Sequence, residues 1–359
     1  MKSNQRRQNL QVAVILPSLA RCGPVLVAHK IISSLLHQVD FFVFYFDPIV
    51  EVSMPVSCQQ IKFTTSIDVS KFDLVHSHML RPDLYVWIHR IPKKVPVIST
   101  LHQYIEESLT YSYGALIAKL FTPIWKMALK RMSMIACINQ HMAVHYHKLL
   151  PRDAVFEIYN GLESWESKQV EEHEALLLLK KRYTLVGNIA LLIKRKGLEQ
   201  LFRTLLLDEK LFLILVGEGE ERNNLESLAL QLGVNNRVKF MGFKENPRDY
   251  LPYFDVFVMP SHSEGFGLAL VEAVAAKVPV VASHIGSFKE MFPENELCFF
   301  ELNNIESLYQ AILKSQQDKE TFIQAAYSRY TASYTQLQMA NKYLLAYQQL
   351  QLIANEGIT

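Results

Sequence analysis

The chain of 359 residues is poor in cysteine, and its cysteines lie far apart in sequence. The four are Cys22, Cys58, Cys137 and Cys298. No Cys-x-x-Cys pair is present, which argues against a zinc ribbon and against the disulfide framework of a small secreted domain. This use of cysteine is typical of a reducing compartment. We therefore expect a cytoplasmic protein, at the inner face of the membrane if it contacts a bilayer.

Long apolar runs are also missing. No stretch approaches the roughly 20 consecutive apolar residues that a helix needs to span a bilayer. The short run Leu10–Leu16, ended by Pro17, predicts a first β-strand rather than a secretion signal. No Gly-x-Gly-x-x-Gly motif follows that strand, which argues against a dinucleotide-dependent dehydrogenase.

Charge of one sign is not in large excess, since the formal net charge is +2. The chain is 50% hydrophobic and 20% charged, a balance that is typical of globular proteins. Basic side chains outnumber acidic ones in residues 1–160, and the reverse holds in residues 161–359. The basic half either faces an anionic ligand or membrane surface or reflects ordinary variation between domains. No nucleic-acid partner is expected.

Strand-like and helix-like segments alternate along the chain, which predicts parallel sheets with helices on both faces. Residues 163–182, rich in Ser and Glu and then charged, are typical of a domain boundary. We predict an α/β fold with two Rossmann-like doubly wound domains, residues 1–165 and 166–335, facing each other across a cleft. Ligands bind in such sheets beyond the carboxyl ends of the strands. Residues 336–359 are predicted to form a helix that packs back on the first domain.

The most informative motif is Glu264–Glu272, with the sequence EGFGLALVE. The apolar run Asp255–Met259 before it predicts a buried strand, and residues 268–276 predict a helix. A helix N-terminus binds phosphate through free backbone N–H groups and the positive end of the helix dipole. Gly265 and Gly267 let the backbone approach a ligand closely. A carboxylate at each end of the motif is suited to bind hydroxyl groups, so the motif fits a sugar nucleotide.

Further segments accompany this motif in a characteristic order. They are Ile158–Glu163 (IYNGLE), Leu215–Arg222 (LVGEGEER), Arg237–Gly242 (RVKFMG), Pro260-Ser261, Pro279–Ala282 (PVVA) and Gly286. Looser matches in the first half are Pro17–Gly23, His76–His78 and Thr100–His102. Together with the Glu264/Glu272 pair, these segments resemble the retaining glycosyltransferases of family 4, which have the GT-B fold. The resemblance covers essentially the whole chain.

The resemblance implies roles for the residues of the second half. Glu264 corresponds to a glutamate that contacts hydroxyls of the donor sugar, and Glu272 to one that contacts the ribose of the nucleotide. Lys196, followed by a glycine, corresponds to a lysine that clamps the diphosphate, with help from Arg195. The backbone expected to meet the sugar and the diphosphate belongs to Gly265, Phe266, Gly267 and Leu268.

In the first half, His102 matches a family histidine near the reacting carbon, and Gly23 is the glycine that lets the backbone approach the donor. The resemblance implies metal-independent, retaining transfer from a nucleotide sugar, most often a UDP-sugar. The implied acceptor is a glycan or lipid-linked glycan in surface polysaccharide biosynthesis. No cofactor is expected, and the Asp-x-Asp motif of metal-dependent GT-A enzymes is missing. Two alternatives stay open: a non-catalytic, glycosyltransferase-like partner subunit, and a sugar-nucleotide epimerase on the same fold.

Two positions depart from the family pattern. Asn188 stands where an arginine commonly follows the glycine of the first strand, so either Lys194 or Arg195 substitutes for it or donor binding is weakened. Lys277 stands where the helix after the motif usually ends at a glycine. A non-glycine residue in a left-handed cap costs on the order of 1 kcal/mol.

Three other features have open interpretations. His76 and His78 either imitate metal ligands or border the cleft. A histidine group at helix-like spacing could bind zinc, but no carboxylate or cysteine partner lies nearby in sequence; it comprises His141, His145 and His147. The segment Ala115–Arg131, apolar with interspersed basic residues, is either a core-packed helix or an interfacial helix on anionic lipid.

Overall fold

A computed structural model describes residues 9–92, 94–149 and 154–355. The described chain divides into two compact units, with the break between Glu163 and Ser164. The first unit contains the residues up to Glu163 together with those from Thr335 onward, and the second contains Ser164–Tyr334. The chain therefore leaves the first unit once and returns to it for its last helix.

The first unit, as far as the structure describes it, is built on a parallel sheet of seven strands in the order β3-β2-β1-β4-β5-β6-β7. The strands are β1 (Leu10–Leu16), β2 (Val39–Tyr45), β3 (Cys58–Gln60), β4 (Leu74–His78), β5 (Val97–Leu101), β6 (Met134–Cys137) and β7 (Val155–Glu157). The helices between them are α1 (Gly23–Leu35), α2 (Leu80–Ile88), α3 (Ile105–Tyr113), α4 (Ala115–Leu129) and α5 (Gln140–Leu149).

The second unit contains, among its described residues, a parallel sheet of six strands in the order β10-β9-β8-β11-β12-β13. The strands are β8 (Thr184–Ile189), β9 (Leu211–Val216), β10 (Val238–Gly242), β11 (Val256–Met259), β12 (Val280–Ser283) and β13 (Cys298–Phe300). The helices are α6 (His173–Lys180), α7 (Glu199–Thr204), α8 (Arg222–Gln231), α9 (Leu268–Ala275), α10 (Gly286–Met291), α11 (Ile305–Gln317) and α12 (Lys319–Ser333). Short 3-10 turns occur at Lys194–Lys196, Asn235–Arg237 and Pro247–Tyr253. The two Rossmann-like sheets confirm the predicted α/β class.

The central strands are buried on both faces, because helices cover both sides of each sheet. Every residue of β9 is buried, and so is every residue of β5 and β11. Such strands show continuous apolar runs instead of an alternating pattern. This is why the apolar run Asp255–Met259 predicted β11, which the structure places at Val256–Met259.

The last helix, α13 (Gln336–Asn355), packs on α1. Its Tyr343 and Tyr347 are fully buried in the hydrophobic cluster that includes β1. Gln336 Nε2 donates a hydrogen bond to Ser34 Oγ at 2.9 Å. Helix α13 is therefore part of the core of the first unit, although it follows the second unit in sequence.

Several short elements were not predicted, and α6 and two edge strands are examples. Helix α6 lies inside the region interpreted as a domain boundary, where Leu176 is its buried anchor. Strands β3 and β13 have three residues each and lie at the ends of their sheets. An edge strand of this length has no periodicity to recognise, since its conformation depends on the neighbouring strand.

Helix α9 ends in a left-handed cap at Lys277, whose φ is 58°. The Val278 N–H donates to the Ala273 carbonyl at 3.0 Å, and the Lys277 N–H donates to the Val274 carbonyl at 2.9 Å. These are the two hydrogen bonds of a Schellman motif. The lysine ammonium also lies 4.8 Å from the ring centroid of Tyr327.

We expect Lys277→Gly to be more stable than Lys277→Ala by about 1 kcal/mol, because both lose the contact with Tyr327 and only glycine relieves the strained φ. Urea unfolding of the two variants and the wild type measures the difference in free energy of unfolding. An alanine variant as stable as the glycine variant would contradict the strain.

Candidate functional site

The Glu264–Glu272 motif begins at the carboxyl end of β11. Strand β11 lies beside β8 at the centre of the sheet. The next strand is β9 on the β8 side and β12 on the β11 side, so the strand order reverses between β8 and β11. In doubly wound sheets, ligands bind at the carboxyl ends of the strands where the order reverses. The topology therefore places the motif at the expected binding position of the second unit.

The turn before α9 depends on glycine. Gly267 has a φ of 71°, and a Cβ added there would lie 2.6 Å from Phe288 Cε1. Any larger residue would be both strained and crowded. The side chain of Phe266 is buried against Tyr334, so Phe266 offers only its backbone to a ligand, whereas Leu268 is partly exposed at the first turn of α9.

Glu264 lies at the centre of a polar cluster. Its Oε1 is 2.5 Å from Lys196 Nζ and accepts a hydrogen bond from Ser261 Oγ at 2.8 Å. Its Oε2 is 3.2 Å from Arg195 Nη1. The glutamate side chain is 7% exposed, that of Lys196 14% and that of Arg195 46%. The predicted sugar-binding carboxylate and the two predicted diphosphate-binding cations are thus brought together, and Ser261 joins them.

The Lys194–Lys196 turn is held at the end of β11 by one backbone hydrogen bond and one side chain. The His262 N–H donates to the Arg195 carbonyl at 2.9 Å. Gln200 Nε2, from α7, donates to the Gly197 carbonyl at 3.1 Å and to the Pro260 carbonyl at 3.0 Å. Gly197 ends the turn with a φ of 61°, and a Cβ there would lie 2.2 Å from the Pro260 carbonyl oxygen. The glycine after Lys196 is therefore needed for the turn to approach Glu264.

Glu272 lies further along α9 and is partly buried. Arg248, in the Pro247–Tyr253 turn, places its Nε 3.9 Å from Glu272 Oε1. The guanidinium of Arg248 also lies 5.6 Å from the ring centroid of Trp165. Neither Arg248 nor Trp165 was predicted, because a lone arginine in an irregular turn has no sequence signal.

Asn188 occupies the position at which the family pattern has arginine, and it is buried within β8. Its Nδ2 donates to the Val258 carbonyl of β11 at 2.8 Å, while its Oδ1 has no hydrogen-bond partner among the described residues. The arginine that reaches Glu264 instead is Arg195. Of the two substitutes that the sequence suggested, Arg195 is therefore the one that lies in the cluster.

A second polar cluster lies at the carboxyl ends of β4 and β5 in the first unit. His78 Nδ1 is 3.0 Å from His102 Nε2, and the two rings stack at 22°. His76 is held by Tyr347 Oη at 2.7 Å from Nδ1 and by Thr100 Oγ1 at 2.8 Å from Nε2. His76 and His78 are fully buried, and His102 is half-buried.

The buried carboxylate of Asp83, on α2, links the end of β4 to α4 through hydrogen bonds. Asp83 accepts hydrogen bonds from Ser77 Oγ at 2.6 Å and from Trp125 Nε1 at 2.8 Å. Burial raises the pKa of Asp83 to about 7, although hydrogen bonds from Ser77 and Trp125 act to lower it. This group was not predicted, because a single aspartate in an apolar helix does not indicate its own burial.

The predicted site residues thus fall into two groups. His102 and Gly23 lie in the first unit, with Gly23 exposed at the N-terminus of α1, and the others lie in the second unit. No group of three or more ligating side chains that could hold a metal occurs in the described ranges. His145, one of the zinc candidates, packs against the rings of Tyr104 and Tyr146.

Comparisons with known proteins agree with this geometry. Residues 4–164 match the sequence profile described as Glycosyltransferase Family 4, and residues 169–329 match the one described as Glycosyl transferases group 1. Together the two profiles span most of the chain. The protein belongs to this family of glycosyltransferases.

Individual relatives of the chain are also glycosyltransferases. The chain is 28% identical over 351 residues to the O-antigen biosynthesis glycosyltransferase WclY of Escherichia coli, covering 95% of this chain and 99% of that protein. It is 26% identical over 268 residues to a UDP-Gal:alpha-D-GlcNAc-diphosphoundecaprenol alpha-1,3-galactosyltransferase of Escherichia coli, covering 69% and 67%. The crystal structure of Anabaena HepE in complex with UDP superposes with a TM-score of 0.77 at 18% identity, covering 95% and 100%. The fold is GT-B.

Proposed function

We propose that the protein transfers a sugar, with retention of anomeric configuration, from a UDP-sugar to a glycan or lipid-linked glycan during surface polysaccharide assembly. The observation that carries the proposal is the cluster of Glu264, Lys196 and Arg195 at the carboxyl end of β11. A carboxylate beside two cations matches a ligand that presents sugar hydroxyls next to a diphosphate.

In the proposed reaction, the bond between the anomeric carbon and the diphosphate oxygen breaks as the acceptor hydroxyl forms its bond on the same face. The acceptor proton passes to the leaving diphosphate. Lys196 and Arg195 stabilise the charge that develops on the leaving group, which is where preorganised cations contribute most. Glu264 accepts hydrogen bonds from donor-sugar hydroxyls, and the first turn of α9 receives the diphosphate.

The relatives support the substrate classes. The galactosyltransferase is named for a UDP-sugar donor and a diphosphoundecaprenol-linked acceptor, and HepE was crystallised with UDP. WclY is named for O-antigen biosynthesis. The proposal carries these classes to this chain without choosing the sugar or the linkage.

Release of nucleoside diphosphate from a panel of UDP- and GDP-sugars, with and without a lipid extract, tests the proposal. We expect release from one UDP-sugar that requires the extract. Release without any acceptor would favour hydrolysis or epimerisation. No turnover with any donor, by protein shown to be folded, would favour the partner subunit, which should bind donor poorly; the uncharged Asn188 in place of arginine is the observation that supports it.

The outer face of α4 supports the proposal of a lipid-linked acceptor, because it exposes apolar side chains. Leu116 is 84% exposed and Leu120 62% exposed. With Pro123 and Met127, they follow each other at intervals of three and four residues, which puts them on one side of the helix. Exposed Lys119 and Lys130 flank this apolar stripe. None of the helices in the described chain has the length and hydropathy to traverse a bilayer.

An exposed apolar stripe between lysines is the pattern of a helix that lies in the surface of an anionic membrane. The opposite face packs inward through Trp125 and Ala118. Both open interpretations of this segment therefore apply to one helix: its inner face is core, and its outer face is proposed to contact anionic lipid.

We expect the protein to co-sediment with vesicles of phosphatidylglycerol and phosphatidylethanolamine, and less with vesicles of phosphatidylcholine alone. Leu116→Glu with Leu120→Glu should weaken this binding about 10-fold or more, because two apolar anchors are replaced by charges that anionic lipid repels. The matched control is Leu345→Glu on α13, whose leucine is 64% exposed in the same unit. Equal loss in the control and the α4 variant would argue against a specific surface.

A further inference from the structure

The histidine cluster of the first unit contains a hydrogen bond that the proposed reaction does not use. Strand β4 carries His76 and His78 two residues apart, so both side chains lie on one face. His78 pairs in register with Thr100 of β5, and His102 follows two residues later. The geometry thus brings His78 against His102, the histidine that the family resemblance places near the reacting carbon.

All three histidines are uncharged at neutral pH. Burial, with the neighbouring histidines adding to it, lowers the pKa of His76 to about 3 and that of His78 well below its usual value. Burial alone lowers the pKa of His102 to about 3. Each ring therefore has one N–H donor and one bare nitrogen acceptor. Between His78 and His102, one ring must donate and the other must accept.

Two proton arrangements satisfy the 3.0 Å bond between His78 Nδ1 and His102 Nε2. If His102 donates, the proton of His78 stays on Nε2, which is buried and has no hydrogen-bond partner among the residues described. If His78 donates, only a bare acceptor remains at that buried position. Orphaned buried N–H groups are the rarer outcome in folded proteins. The second arrangement is the favoured one.

We infer that His78 is a positioning residue that donates from Nδ1 to His102 Nε2 and so holds His102 in the tautomer with its proton on Nδ1. The remaining polar atom of His102 is then a hydrogen-bond donor. The lone pair that a general base would need is occupied by His78. His102 therefore orients an oxygen of the substrate and takes up no proton, a role that rests on the proposed function.

The neighbours of His78 keep its ring in place. The rings of His76 and His78 have centroids 4.2 Å apart, and His76 is fixed on both nitrogens by Tyr347 and Thr100. Thr100 Oγ1 also lies 3.0 Å from Tyr343 Oη. A ring in contact with a fixed neighbour cannot rotate away from His102 without losing that contact. The arrangement is thus set before any ligand binds.

The test is nitrogen NMR of the full chain with ¹⁵N-labelled histidine, with the signals of His102 assigned by their loss in His102→Gln. We expect the wild type to show a protonated Nδ1 and an unprotonated Nε2 on His102. In His78→Asn, the amide nitrogen lies close to the position of the ring Nδ1 and still donates, so the tautomer should persist. In His78→Leu the donor is lost, and His102 should shift towards the Nε2-protonated form that imidazole prefers in water.

Turnover provides the second readout. We expect His78→Leu to lower kcat about 10-fold or more with little change in KM, and His78→Asn to restore most of it. The matched control is His37→Leu, an exposed histidine after α1, which should change neither readout. An Nε2-protonated His102 in the wild type, or an unchanged tautomer in folded His78→Leu, would overturn the inference. The spectra are recorded without substrate. If His102 shows the expected tautomer but the protein has no transferase activity, the inference stands and only the proposed function is contradicted.

Discussion

Replacement of Glu264 by glutamine is expected to lower the rate of sugar transfer about 100-fold, because a charged acceptor of hydroxyl hydrogen bonds becomes a neutral one in a nearly buried position. The glutamine carbonyl oxygen can still accept from Ser261 and Lys196, so the loop after β11 should keep its conformation. Alanine at this position should abolish transfer, but it also leaves Lys196 without its partner. The conservative variant is therefore the sharper test. Initial rates of nucleoside diphosphate release measure the effect.

A matched control is Glu226→Gln on α8, where an exposed carboxylate pairs with Arg222 at 2.5 Å. Exposed pairs of this kind contribute roughly 0–1 kcal/mol, so stability and turnover should both stay close to wild type. Wild-type turnover in folded Glu264→Gln would refute the assignment of the cluster as the donor-sugar site.

The second large effect concerns the stability of the first unit. The pKa of Asp83 rises from 3.8 to about 7 on folding, so between these pH values the folded chain holds a proton that the unfolded chain has released. The free energy of unfolding must then decrease as the pH rises from 4 to 7, and level off above the folded pKa. The decrease attributable to Asp83 is on the order of 3–4 kcal/mol.

Asp83→Asn should remove this dependence, since the amide is neutral at every pH. Its oxygen can accept from Trp125, and its nitrogen can donate to Ser77, whose hydroxyl rotates. We expect the variant to gain stability relative to wild type as the pH rises from 4 to 7. Urea unfolding followed by tryptophan fluorescence measures this, because Trp125 is itself bonded to Asp83.

The exposed carboxylate of Asp47, which pairs with Arg81 at 2.5 Å, provides the control variant Asp47→Asn. Its stability curve should run parallel to that of the wild type over the same range. Parallel curves for Asp83→Asn as well would show that Asp83 is already ionised in the folded chain at pH 4 and that burial does not control its protonation.

Much of the candidate site could be predicted because its signals are local. Glu264, Gly267 and Glu272 lie within one nine-residue motif, and Gly267 is required by a turn that only glycine fits. The pairing of Glu264 with Lys196 could not be read from the chain, since 68 residues separate the partners and a folded turn joins them. Arg248 was missed for the same reason. Ser261 lies only three residues from Glu264, but the sequence marked it only as part of the family pattern and did not show that its hydroxyl bonds Glu264.

The sequence by itself determined the α/β class, the positions of most buried strands to within a few residues and the position of the binding motif, because hydrophobic periodicity and turn chemistry act over a few residues. Only the tertiary structure decided which polar groups become buried and what they face. His78 and Asp83 are ordinary residues in the sequence. The packing of β4 against β5 and α13, and of α2 against α4, removes water from them. That desolvation sets their protonation and hence what they can donate or accept.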